Sequence, residues 1–331
     1  MLKIFILLLL STAPPFLFLF YIFKRDCFEP EPGELVWKVF KYGALMVIPA
    51  GFLEIIPLKL YPNPGLYDPV ALFFWAFIHS FVFIGPIEEY FKWLAVKYSI
   101  WDDKNFNEPL DGIVYFCAAS MGFAAFENVA YVFQHGFGTG LIRAVTAIPL
   151  HAFAGIFFGY YAGLSRFASK EESSRVFFKG FLFAVLFHAI YDCLLLSSIP
   201  LAAVAIFPLL IGASFIAKTQ MERLILVSKQ SFGQKPEETA LADEDGAILA
   251  GSAIASSRPI SVQVEKTEWT LGMKIASAVK TLVLAFWGLC ALIVIAACVG
   301  APHQAHLIIV GFLVISTIPL TIFAYIRFFF S

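Results

Sequence analysis

Four consecutive apolar stretches of this chain carry side chains that hydrocarbon does not accept without cause. The third long apolar run contains GPIEEYFKW, which puts Glu88, Glu89 and Lys92 within about one helical turn. The fourth contains FEN, with Glu127 and Asn128. The fifth holds His151 in IPLHAFAG, and the sixth holds His188 and Asp192 in VLFHAIYD. A charged side chain at the centre of a spanning helix costs about 2.5–3.5 kcal/mol on the insertion scale. Concentration of such residues in four neighbouring runs therefore points to one shared site. Glu88 and Lys92 are four residues apart and Glu89 and Lys92 three, so the lysine reaches either carboxylate from the same helix face. His188 and Asp192 are also four apart, which lets the aspartate accept from one imidazole nitrogen and fix the tautomer.

Two carboxylates and two histidines in a dry cavity suit hydrolysis of an amide. A desolvated carboxylate becomes basic enough to take a proton from water near neutral pH. Adjacent glutamates project about 100° apart on a helix, so one of Glu88 and Glu89 is free to activate water while the other pairs with Lys92. His151, His188 and Asn128 are then the candidates to stabilise an oxyanion. A divalent metal such as zinc could be held by His151 and His188 with a carboxylate, Glu127 among the candidates, although no HExxH or paired Cys/His spacing calls for one. The five cysteines lack a CxxC pair and read mostly as small apolar residues. Proton-coupled transport draws on the same intramembrane Glu, His and Lys, so the residue types by themselves leave hydrolase and carrier open. Against a carrier, no inverted repeat relates the two halves.

The elements that must position these residues are helices. Of 331 residues, 60% are hydrophobic and 14% charged, with a mean hydropathy of +0.81, where a soluble domain has about 25% charged residues. The net charge of −1 gives no indication of nucleic acid as a partner. The composition predicts an all-α polytopic membrane protein whose immediate partner is the lipid bilayer. Apolar runs long enough to span fall at 2–23, 36–57, 70–96, 110–134, 143–164, 176–197, 199–217, 274–299 and 305–329, predicting nine transmembrane helices. The first is too long for a signal-peptide core and reads as a retained helix kinked at Pro14 and Pro15. All 23 Lys and Arg except Lys3, Lys59 and Arg143 fall on one side of this arrangement, which predicts an outside N-terminus and a cytoplasmic C-terminus. Three parts follow: a seven-helix body (1–217), a polar cytoplasmic linker (218–273) and a C-terminal two-helix hairpin (274–331). His303 and His306, in the hairpin's outer turn, read as solvated.

Gly85-Pro86 is expected to break the third helix. Without such a break, its glutamates and those of the fourth would differ in depth by on the order of 15 Å. Gly155, Gly159 and Gly163 follow His151 at every fourth position, a stripe that permits close helix approach.

In order along the chain, EEYFK, GFAAFENVAYV, RAVTAIPLHAFAG and HAIYD resemble the PrsW family of intramembrane proteases, as does the FKRDCFEPEP segment after the first helix. That family is related to the CAAX-prenyl-protease and bacteriocin-immunity membrane proteins. The resemblance covers about residues 10–200. It implies a multi-pass protease of a prokaryotic cytoplasmic membrane that cuts a membrane-anchored protein, an anti-sigma factor in the best-known members. It further implies that Glu88 and Glu89 activate water, that Lys92, Glu127 and Asn128 complete their motifs, and that His151 and His188 are the family's two histidines. Asp192 departs from the pattern, since many relatives carry asparagine there. Residues 218–331 lie outside the family core, and metal dependence stays open.

Overall fold

The computed structural model describes residues 2–65 and 69–233. The predicted linker (218–273) is thus described only as far as 233, and the hairpin (274–331) lies outside the described residues. Among those described, the chain is helical, with no strand: α1 (Leu2–Arg25), α2 (Gly33–Leu60), α3 (Pro69–Ile78), a π-helical turn (His79–Ile84), α4 (Gly85–Ser99), α5 (Pro109–His135), α6 (Phe137–Val145), α7 (Ala147–Arg166), α8 (Lys170–Leu196) and α9 (Pro200–Phe232). Seven helical stretches are long and apolar enough to cross a membrane, with α3, the π turn and α4 forming one stretch and α6 with α7 another. They match the first seven expected spans. The eighth and ninth lie outside the described residues. α9 differs from expectation by running on as helix to Phe232. Its later turns, MERLILVSKQ, keep an apolar stripe through Met221 and Leu224 that packs into the core.

α5 and α7 form the centre. α5 is buried from Pro109 through Ala125 and α7 from Ala147 through Gly159, while α1 and α2 present much of their Leu, Ile and Phe surface outward, as lipid-facing helices do. The glycine stripe explains the central pairing. A β-carbon at Gly159 would run into the Gly112 carbonyl, and one at Gly163 into that of Pro109. The two backbones touch with no side chain between them, the geometry that small residues every fourth position allow. α2 approaches the opposite face of α5 in the same way, Gly43 against Ala119 and Gly122 against Phe40.

The third span is not opened by Gly85-Pro86. The chain instead widens into a π turn closed by the Gly85 N–H donating to the Ser80 carbonyl. Pro86 has no N–H to give, so an ordinary α turn would leave a carbonyl of the preceding turn unpaired. The wider loop absorbs that defect without ending the helix. A short connection joins the sixth and seventh spans. It turns at Ser198, whose φ of 54° is in the left-handed region, before Pro200 starts α9.

Gly159→Leu should strongly lower the melting temperature of detergent-purified protein or abolish recovery of folded protein, since overpacking alone costs roughly 1–3 kcal/mol. Gly51→Ala, where an added β-carbon meets nothing within 4 Å, should leave the melting temperature unchanged. Equal melting curves for the two would refute the backbone contact.

Candidate active site

α4, α5, α7 and α8 bring Glu88, Glu89, Lys92, Glu127, His151, His188 and Asp192 into one cluster, in the apolar interior as the sequence predicts. Lys92 is at its centre and fully buried. Its Nζ lies 2.6 Å from Glu89 Oε1, 3.4 Å from Glu88 Oε2 and 2.9 Å from His151 Nδ1, with the Phe123 ring 4.9 Å away. Glu88 and Glu127 approach opposite ring nitrogens of His151, at 4.0 Å from Nδ1 and 2.9 Å from Nε2.

The carboxylate partners assign the histidine tautomers. His151 Nε2 donates to Glu127 Oε2 at 2.9 Å, which leaves the Nδ1 lone pair to accept from Lys92. His188 Nδ1 donates to Glu89 Oε1 at 2.7 Å, which leaves the Nε2 lone pair free. Both remaining lone pairs face one atom. Glu88 Oε2 is 4.0 Å from His151 Nδ1 and 3.6 Å from His188 Nε2, and it is buried with no hydrogen-bond partner. The two rings meet edge to face, 5.2 Å apart.

This geometry revises three expectations. The carboxylate that orients His188 is Glu89, with Asp192 Oδ2 a further 3.3 Å neighbour of Nε2. The carboxylate converging with the two histidines is Glu88, whereas Glu127 stands behind His151 and pairs with Arg143 Nη2 at 3.1 Å. Asn128 faces away from the histidines. Its Nδ2 donates to the Ser11 carbonyl of α1 and its Oδ1 accepts from Arg143 Nε, so it ties α1, α5 and α6 together and offers nothing to an oxyanion.

Arg143 was counted among the outside loop charges. It is instead largely buried on α6, against Glu127, Asn128 and the Tyr131 ring. Glu54 of α2 was also missed. Its Oε1 is buried without a hydrogen-bond partner. Both stood close to the expected ends of their spans, where a charge reads as interfacial. The available signal was a charged residue with apolar neighbours on both sides. A further histidine, His79 in the π turn, is buried and bonded through Nδ1 to the Trp75 carbonyl, but none of its bonds reaches the cluster.

Side-chain exposure is 1% at Glu89 and Lys92, 8% at Glu88, and 14% and 16% at Asp192 and Glu127. The cluster is sealed on the Glu89 side and opens along the rim formed by the C-terminal halves of α5 and α8.

Residues 31–217 match the model of the PrsW family intramembrane metalloproteases. The chain belongs to this family. Similar proteins include Protease PrsW of Geobacillus kaustophilus, 32% identical over 56% of this chain and 78% of that protein. Protease PrsW of Bacillus subtilis is 30% identical over 56% and 80%, and that of Clostridioides difficile 29% over 68% and 94%. No solved structure matches the chain. PrsW membership resolves the choice that residue types left open: the chain is an intramembrane protease and the carrier reading falls away.

The family's description names a metalloprotease, and the residues present fit a metal. A ring nitrogen of each histidine and a buried Glu88 carboxylate oxygen lie within 4.8 Å of one another, and an ion there would take His151 Nδ1 from Lys92. Each imidazole is backed by a carboxylate on its far nitrogen, the outer support that metal-bound histidines commonly have, and a two-histidine, one-carboxylate set suits zinc.

Lys92→Met should destabilise the folded protein by roughly 3–5 kcal/mol, because it strands a buried carboxylate. Adding Glu89→Gln should recover part of that loss. Thermal melts in detergent check both, and a Lys92→Met variant melting like the wild type would refute the central role of the pair.

Proposed function

We propose that the protein is an endopeptidase cutting a membrane-anchored protein of the anti-sigma-factor type, with Glu88 as the base that takes the proton from the attacking water. The convergence of both histidine lone pairs on Glu88 Oε2 carries this reading. Glu89 and Glu127 hold the imidazoles in their tautomers, and Lys92 offsets their buried charge. A water placed between Glu88, His151 and His188 would lose its proton to Glu88 as it attacks the peptide carbon, and Glu88 would return that proton to the leaving amine. His151 and His188 would position the water and the carbonyl. A divalent metal such as zinc, when held by His151, His188 and Glu88, would itself supply the Lewis acidity that activates the water, in place of Glu88 acting as base.

Basic residues between the helices favour a cytoplasmic membrane orientation with the N-terminus outside. The open rim at the ends of α5 and α8 then belongs to the outer half of the bilayer, and a substrate span would be cut there.

Wild type and Glu88→Gln should be reconstituted with single-span membrane proteins, and fragments read by mass spectrometry. The expected outcome is a cut in the outer half of the substrate span by wild type and a loss of about 10²–10⁴-fold or more in Glu88→Gln, with both proteins equally folded. Fragments unaffected by Glu88→Gln would overturn the assignment. For the metal, purified protein should carry one zinc equivalent that His151→Ala and His188→Ala lose. Full cleavage with no bound metal would leave Glu88 as an unassisted base.

A further inference from the structure

A second group of carboxylates lies at the other end of α5. Asp111 is sixteen residues before Glu127, or about 24 Å along the helix axis. Oxygens of Glu29, Glu108 and Asp111 approach within 4.8 Å of one another, brought together by the α1–α2 loop and the start of α5. Part of this group has a local structural task. Asp111 Oδ2 accepts from the N–H groups of Asn107 and Glu108, and the Glu108 side chain accepts from the backbone at Asp111, closing a capping box. Ser228 of α9 donates to Glu108 Oε1 at 2.8 Å, and Asn107 donates to Glu29 Oε1. These bonds use one oxygen of each residue. Glu29 Oε2, Glu108 Oε2 and Asp111 Oδ1 are buried and have no partner.

A separate observation points into the same space. Glu31, outside this trio and 3% exposed, takes the Tyr115 hydroxyl on Oε2. Its Oε1 is buried and unpartnered. Asp26, beside it, also has an orphaned oxygen. Buried carboxylate oxygens on five acids of this one region thus lack a donor, and a cation among them would offset that cost. Arg166 feels the charge of Asp111, but its guanidinium donates to the carbonyls of Phe106 and Asp103.

We propose that Glu29, Glu31, Glu108 and Asp111 bind a hard divalent cation, Mg²⁺ or Ca²⁺, at a site separate from the catalytic cluster. The donors are all oxygens, which suits these ions and Mn²⁺ and disfavours zinc. The ion would tie the α1–α2 loop to the start of α5 and, through Ser228, to α9. The test uses the full chain in detergent, stripped with chelator and carrying Glu88→Gln and His151→Ala to disable the catalytic trio. Mn²⁺ is titrated and followed by electron paramagnetic resonance, with Mg²⁺ and Ca²⁺ as competitors. One Mn²⁺ per chain should bind, be displaced by one of the competitors, and weaken about tenfold or more with Glu29→Gln added. Absence of uptake would overturn the proposal, as would uptake unchanged by Glu29→Gln. In the unaltered chain, Mg²⁺ or Ca²⁺ should raise the melting temperature, and no rise with either at saturating concentration would count against the site even if a variant failed to fold. None of these readouts depends on cleavage, so they stand or fall separately from the protease mechanism.

Discussion

A lysine with no contact to water sets the terms for the rest of this structure. Lys92 is enclosed by Glu88, Glu89 and His151, and neither the ammonium nor the carboxylates would be stable in that interior alone. Each additional acid draws in a further partner: Glu89 takes His188, His151 takes Glu127, and Glu127 takes Arg143. The result is a chain of alternating donors and acceptors through five helices. Oε2 of Glu88 stays outside that chain, with no hydrogen-bond donor of its own and within 4.0 Å of a ring nitrogen of each histidine.

This arrangement was legible in the sequence as a set and not as a wiring diagram. Residues too costly for lipid identify themselves, and their occurrence on four successive spans predicted their meeting. Which carboxylate serves which histidine depends on helix rotation and on angstrom differences in depth, and spacing along one helix favours partners within that helix. Asp192 therefore stood out as the partner of His188, while the stronger partner, Glu89, arrived from another helix. Arg143 was hidden for a related reason: a short amphipathic helix, α6, folds back between two spans and carries a residue of apparent loop character into the interior. The depth mismatch expected on the third span does not arise, since Glu88 and Glu127 both approach His151. Gly85-Pro86 marked the place of the π turn but not its form.

The contact between α5 and α7 has a mechanical meaning. Where two backbones touch through glycine there is no side-chain layer to rearrange, so these helices cannot slide or part by small rotamer changes. Glu127 and His151 are thus mounted on a fixed anvil. A substrate span, a cylinder about 10 Å across, cannot enter through that pair. Its way in must lie elsewhere on the wall, where larger side chains intervene and α3 continues through a π turn, a place where a helix bends more easily than it separates. The protease is stiff where Glu127 and His151 are held, and any give in the fold falls to helix pairs that meet through side chains.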